Sequence, residues 1–511
     1  MTAGPDINAP DQAAALAFLD ERVRRGAAKR IDTHISIVYL EPDRVLKIKR
    51  AVRLPFLDFS TLEKRKQACE EELVVNQRHA PRLYRRVVPL TRELSGVKVG
   101  GGGPVIEWAV EMARFDERKT LDHLARAGAI EPVLAEAVAD VLRASHQHAD
   151  ISDGSTWLLS IAKIIDRNTA KFRKQASLAR EAVARLHNES HSRLARTLPL
   201  LRRRAADGLV RRCHGDAHLG NIVLIDGNPV LFDAIEFDPA IATTDILYDL
   251  AFPLMDLLHF GLKAAANRLF NRYLQTAWAE CADALILLPL FLSIRAAIRS
   301  HVLFTRCEQQ GDDESAAQAR SYFDLALRLL KPARPSLIAI GGKSGTGKSV
   351  LARDVAGLIA PLPGAVVLRS DVIRKELFGV DVLMKLHRAA YGAEVTARVY
   401  KTLLQRASEA VSQGFSVIVD AAFLRAAERD ELTTESRALA ADFRPLFLDA
   451  DLAVRLKRIG SRRHDASDAN RDVAALQEGY DLGQLDWPVV DASGSPATTL
   501  QRSLPHLLPK A

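Results

Sequence analysis

LIAIGGKSGTGKSVLARDVAGLIA, Leu337 to Ala360, decides the reading of half of this chain. It runs from a short apolar segment of strand character, through eight residues fitting GxxxxGK[ST] (Gly342, Lys343, Ser344, Gly345, Thr346, Gly347, Lys348, Ser349), into a helix-like apolar segment. Glycines at these offsets let backbone N–H groups turn inward around phosphate oxygens, and the following helix N-terminus adds a favourable field. In such a loop Lys348 reaches the β and γ oxygens and Ser349 can ligate magnesium, so Gly342, Ser344, Gly345, Thr346, Gly347, Lys348 and Ser349 form a candidate nucleotide site.

Downstream, apolar runs at Leu337–Ile340, Ala365–Leu368, Ser416–Val419 and Pro445–Leu448 alternate with helical segments. That alternation predicts an α/β domain with a parallel sheet between helices. Upstream, KPARPS (Lys331–Ser336) carries two prolines and is read as the boundary between domains 1–332 and 336–511. Before it, β-like segments at Ile35–Leu40, Arg44–Lys49, Arg86–Thr91 and Val105–Met112 give way after Leu121 to long Ala/Leu/Arg-rich stretches. This order predicts an α+β domain, a small sheet lobe followed by a helical lobe, with Gly100–Gly103 as a turn.

A chain of 511 residues is too long for one ordinary core, and two domains are expected. The net charge of +8, from 71 basic against 63 acidic residues, suits anionic ligands, but no nucleic-acid-binding signature accompanies it, so a nucleic-acid partner is not favoured. Cys69, Cys213, Cys281 and Cys307 are scattered without metal-ligand spacing and read as buried thiols. The N-terminus has no basic segment ahead of an apolar one, and the most apolar run, Ala282–Ile294, is too short to span a bilayer. A cytoplasmic protein without a membrane partner is expected.

In the C-terminal half, RSDVIRK places Asp371 and Arg374 three apart at a strand-to-helix junction, where the carboxylate could take or orient an acceptor's hydroxyl proton and the guanidinium could neutralise phosphoryl charge. Asp420 closes the strand SVIVD and is placed to join the magnesium shell. Arg455, Arg458 and Arg462 fall at offsets of three and four, one face of a helix that could close over a transferring phosphate. GGKSGTGKS, RSDVIRK, VIVDAAF and the arginine-bearing stretch ending in DASDA resemble the zeta-toxin, polynucleotide-kinase and gluconate-kinase group of P-loop kinases. The resemblance implies transfer of the γ-phosphoryl group of a nucleoside triphosphate to a small hydroxyl-bearing acceptor that it does not name.

In the N-terminal half, CHGDAHLGN (Cys213–Asn221) is followed by an apolar hairpin and LFD (Leu231–Asp233). An Asp, an Asn five residues on and a second Asp after a hairpin form the pattern of protein-kinase-like centres: Asp216 would position the acceptor hydroxyl, while Asn221 and Asp233 would hold Mg2+. His214 and His218 read as braces of this loop. HGDxHxxN followed by FDAIEFD resembles the aminoglycoside-phosphotransferase-like kinases, which implies a two-lobed protein-kinase-like fold and makes Asp249 an anchor beneath the loop. Lys47, preferred over Lys49, would contact the α and β phosphates, and Glu71 or Glu72 would pair with it, Glu71 standing in the candidate set. DTHISIVYL lacks the glycines of a nucleotide loop, so Ser36 would have to help cover phosphate; VIEWAVEM is placed like an adenine hinge.

The two halves together, with LPFLDFSTLEKRKQACEEEL, resemble a bacterial family of aminoglycoside phosphotransferase/ATPase fusions. The leading expectation is an ATP- and Mg2+-dependent phosphotransferase with two kinase-type sites acting on small hydroxyl-bearing acceptors. The alternatives are a nucleotide-sensing regulatory ATPase with an inactive kinase-like half, and a nucleic-acid-end kinase.

Overall fold

The computed structural model describes residues 10–33, 35–54, 57–461 and 465–508. Strand Ser336–Gly342 is buried along its whole length, as a run without polar side chains from Leu337 onward must be when helices cover both faces of a parallel sheet. Its neighbours are strands Val417–Asp420 and Asp442–Asp449, with Val366–Arg369 and Val489–Asp491 at the two edges, all parallel. The four strands expected from the sequence are these, and the fifth, Val489–Asp491, is too short to show as a run. Ile338, Ile340, Leu351, Val355, Ile418, Leu446 and Leu448 form the core between the sheet and the helix that follows the glycine-rich loop.

The N-terminal sheet is antiparallel and six-stranded, in the order Lys29–Asp32, Ser36–Leu40, Arg44–Lys49, Val105–Ala113, Tyr84–Glu93, Gly96–Val99. Helix Leu62–Gln77 packs against it, started by Thr61, whose hydroxyl accepts from the Lys64 N–H at 3.3 Å. Beyond Leu121 the unit is mainly helical, interrupted by the short strands that carry the catalytic-type loop. The chain therefore combines a kinase-like two-lobed domain with a P-loop domain built on a parallel sheet.

The compact units do not follow the Lys331–Ser336 boundary. One comprises 1–130, 140–256 and 295–323, the other 131–139, 257–294 and 324–511. The reason lies in helix Lys263–Cys281, which the sequence reading left with the upstream half. Buried Asn267 donates to the Ala365 carbonyl at 3.0 Å, Asn271 accepts from the Val367 N–H at 2.7 Å, and Trp278 Nε1 donates to Glu409 at 3.0 Å. The two asparagine bonds satisfy the edge at strand Val366–Arg369, which among the described residues has no strand partner on that side, and the Trp278 bond ties the same helix to helix Ala393–Ser412. The run Ala282–Ile294 also belongs to a longer helical stretch, Lys263–Gln309, long and apolar enough to cross a membrane, yet 83% of its most apolar window is buried inside the fold.

Candidate active sites

The glycine-rich loop bridges strand Ser336–Gly342 and helix Lys348–Ala356. Gly342 has φ +140° and a Cβ there would come 2.5 Å from the Leu448 carbonyl oxygen, while at Gly345, φ +89°, it would meet the Arg455 Cβ at 2.8 Å. No other residue fits either position. Lys348 Nζ donates to the Gly342 carbonyl at 2.8 Å, and the Ser344 N–H donates to Gln477 Oε1 at 2.7 Å, so the loop already presents an amide to an oxygen. The Ser349 hydroxyl donates to Asp420 at 2.5 Å. These two oxygen donors, brought together across 71 residues, are the type a hard divalent cation prefers.

Arg369 is a member that sequence reasoning missed. It ends the edge strand in register opposite Asp420, and its guanidinium lies 3.3 Å from the Asp420 carboxylate, 3.2 Å from the Ser349 hydroxyl and 2.9 Å from Asp465. The only signal for it was position, one strand residue before Ser370. Asp371, in the first turn of helix Ser370–Leu377, lines the same cleft, whose volume is ≈ 1450 Å³, together with Lys348, Ser349, Arg374, Asp420 and Arg458. Burial pushes the Asp371 carboxyl above its ordinary value against the pull of Arg369, with Asp420 adding to the rise.

The arginines divide. Arg374 is buried, donates to the Ala390 carbonyl at 2.7 Å and lies over the Tyr391 ring at 4.8 Å, so it shapes the cleft wall as well as lining it. Arg455, expected on a closing face, is 1% exposed: it donates to the Ala450 and Ser344 carbonyls and pairs with Glu478. It is a brace beneath the loop, because the loop's own glycines admit its backbone so closely. Arg458 stays on the cleft side and donates to the Thr346 carbonyl at 3.3 Å and to the Gly494 carbonyl at 2.5 Å. Arg462 lies outside the described residues.

In the N-terminal unit, Asn221 Nδ2 donates to the Asp216 carbonyl at 3.0 Å and to its carboxylate at 3.2 Å, so the Asn carbonyl oxygen is the atom left to take a cation. His214 Nε2 donates to the Phe232 carbonyl at 3.0 Å and His218 Nδ1 accepts from the Gly220 N–H at 3.0 Å; burial lowers both imidazoles, leaving them neutral braces. Asp249 is fully buried, accepts from the Gly215 N–H at 2.9 Å and lies 3.1 Å from His146. Burial opposes its ionisation, but the His146 contact and Arg295 prevail and hold the carboxyl at about 2.

Strand Arg44–Lys49 carries Lys47 and Lys49 on one face, as a period of two requires. Lys47 Nζ lies 2.7 Å from Glu72 and 2.5 Å from Asp233, across 186 residues. Lys49 lies 2.6 Å from the second Glu72 oxygen and pairs with Glu236. The result is a row of alternating charges, Asp233, Lys47, Glu72, Lys49, Glu236, with Glu72 and Lys49 completely buried and the Asp233 side chain 44% exposed at its end. Burial would lower Lys47, but Asp233 and Glu72 outweigh it and keep the ammonium charged. The accessible end of the row is Asp233, held at φ +60° and bonded through its N–H to the Tyr84 hydroxyl at 3.1 Å. Glu71, the candidate carried from the sequence, is exposed; Glu72, one position on, faces the lysines. Glu236 had no sequence signal at all. Ser36 is buried beside Thr33, whose hydroxyl accepts its N–H at 2.9 Å.

Residues 62–283 match the model of the phosphotransferase enzyme family (APH), and residues 337–480 match that of an AAA domain (AAA_33). Uncharacterized proteins of Mycobacterium tuberculosis (strain H37Rv) and Mycobacterium bovis are 29% identical over 483 residues, 91% of this chain and 92% of theirs. Among solved structures, a choline kinase from Cryptosporidium parvum Iowa II aligns over 62% of this chain and 95% of its own, at 10% identity and a TM-score of 0.38. A gluconokinase from Sinorhizobium meliloti 1021 aligns over 34% of this chain and 91% of its own, at 20% identity and a TM-score of 0.25.

Proposed function

We propose that this chain, which carries a phosphotransferase-family kinase-like domain ahead of a P-loop kinase-like domain, transfers the γ-phosphoryl group of ATP to hydroxyl acceptors at two separate centres. The observation that supports this most is the contact of Lys47 with both Glu72 and Asp233, which sets a charged lysine between a buried helix carboxylate and an accessible carboxylate of the kind that holds a nucleotide's metal ion. At the first centre Lys47 holds nucleotide phosphate, Asp216 orients the acceptor hydroxyl and takes its proton, and His214, His218 and Asp249 keep that loop in shape. At the second, the loop amides and Lys348 hold the phosphates, Asp371 serves the acceptor and Arg458 adds positive charge at the cleft.

Magnesium, bound with the nucleotide, would neutralise charge on the phosphate oxygens; Asn221 and Asp233 at one centre, and Ser349 and Asp420 at the other, are the oxygen donors that fit it. The four cysteines are free, which suits a reducing, cytoplasmic setting. The test is incubation of the purified chain with γ-labelled ATP, Mg2+ and a pool of hydroxyl-bearing metabolites. Labelled organic products, one class lost in Asp216→Asn and another in Asp371→Asn, are expected. Release of inorganic phosphate alone would replace the kinase reading with that of a regulatory ATPase.

A further inference from the structure

Away from both phosphate sites, helix Ser155–Phe172 packs beside helix Arg180–Ala206, and three metal-ligating side chains meet on their outer surface. His187 and His191 are four residues apart, hence on one face one turn apart. Their rings lie 4.5 Å apart between centroids, and Asp166 comes up from the neighbouring helix. Its Oδ1 is 2.8 Å from His191 Nε2 and 3.9 Å from His187 Nδ1, and one ligand atom from each residue lies within 4.8 Å of the others.

We propose that Asp166, His187 and His191 form a surface site for a divalent cation of the zinc class, clamping the two helices together. A tetrahedral zinc with bonds of about 2.0–2.1 Å keeps its ligand atoms about 3.3 Å apart. The two Asp166 distances straddle that spacing, so small side-chain rotations complete the set without moving either helix. Two imidazoles and one carboxylate select zinc and its late first-row neighbours over magnesium, which prefers oxygen donors. Zinc is also the ion for which three protein ligands with a water in the fourth position is an ordinary arrangement, and the side chains here are partly exposed, at 59% for Asp166, 27% for His187 and 34% for His191.

His187 ligates through Nδ1, the ring nitrogen that faces Asp166. The same atom lies 3.2 Å from the Thr169 hydroxyl, whose own proton is tied to the Ile165 carbonyl at 2.9 Å, so binding replaces that ring contact and leaves the hydroxyl satisfied. On binding, His191 ligates through the nitrogen now facing Asp166, and its single proton moves to the other ring nitrogen.

The experiment is a Zn2+ titration of the full chain against a chromophoric competitor, with saturating Mg2+ present to occupy oxygen-donor sites. One tight equivalent is expected in the wild type. It should be weakened more than about a hundredfold in His187→Gln/His191→Gln, and not weakened in Thr169→Val, which keeps side-chain volume and removes only a hydroxyl that competes for His187 Nδ1. Zn2+ should raise the melting temperature of the wild type and not that of the double variant. Cobalt substitution should give a visible d–d band that the double variant lacks. Equal zinc stoichiometry and affinity in wild type and double variant, both shown folded by circular dichroism, would overturn the proposal and leave an ordinary His–Asp hydrogen bond.

Discussion

The two proposed phosphate sites are built on opposite principles. The P-loop site is almost contiguous: seven of its candidate residues fall within Gly342–Ser349, and the backbone itself is the ligand, shaped by glycines at positions where a Cβ would collide. The N-terminal site is assembled from Lys47, Glu72, Asp216, Asn221 and Asp233, which meet only after a sheet, a helix and a hairpin have been packed together. One site depends on loop geometry, the other on a row of buried charges. Damage to the first should therefore be local, and damage to the second should spread into the stability of its unit.

The largest effect expected is at Asp216. Asp216→Asn should lower N-terminal transfer by about two to four powers of ten while nucleotide affinity persists, because proton acceptance matters at transfer and not in binding. Rapid-quench measurement of label transfer checks this, and a wild-type rate would remove the kinase reading of that half. Next comes Glu72→Gln, which should cost about 3 kcal/mol of unfolding free energy in urea. That is the lower end for a broken buried pair, since Lys47 keeps Asp233 and Lys49 keeps Glu236. Glu71→Gln should leave stability unchanged. If the two variants unfold alike, the charge row is not what joins the lobe.

A smaller effect sharpens the contrast at the other site. Arg458→Ala should reduce C-terminal turnover about tenfold to a hundredfold with little change in ATP affinity, the behaviour of a charge used at the transition state. Arg455→Ala should lower ATP affinity and melting temperature together, as the loss of a brace does. Calorimetry alongside steady-state kinetics separates the two patterns, and turnover loss without binding loss at Arg455 would reverse their roles. Smallest is a displacement on the pH axis. The Asp371 carboxyl is raised, chiefly by burial, and must lose its proton before it can accept one. C-terminal kcat/KM should therefore fall on acidification with a midpoint above the ordinary aspartate value of about 3.9. A midpoint at or below that value would show that Asp371 is not the titrating base.

The same contrast explains what could be read from the amino-acid sequence. The parallel sheet was legible because its central strand is apolar from Leu337 to Ile340, and the phosphate loop because backbone chemistry needs glycine at fixed offsets. Asp216, Asn221 and Asp233 were legible as a spaced set. Choosing Glu72 over Glu71 was not, since it depends on which side of helix Leu62–Gln77 meets the sheet, and that helix is too polar all round to advertise a face. The pairing of Lys49 with Glu236 was hidden for a related reason, Lys49 reading in the sequence only as an alternative phosphate contact: a fully buried charge looks like a surface charge until its partner is found. Arg455 was misassigned because equal helical spacing says that arginines share a face, not which way that face is turned.

Helix Lys263–Cys281 carries a consequence for anyone wishing to take the chain apart. Its asparagines finish the edge of a sheet whose strands are encoded much later in the polypeptide, so the unit containing the P-loop is interrupted in sequence by a long excursion into the other unit. No single cleavage can yield both units whole. A protease nick within Lys331–Ser336 should leave two fragments that co-elute under native conditions and part only in denaturant, whereas a gene truncated to begin at Ser336 would synthesise a sheet with a raw margin. During synthesis the order is favourable: the helix has left the ribosome before the strand it caps, and waits as a ready-made border for the sheet that follows.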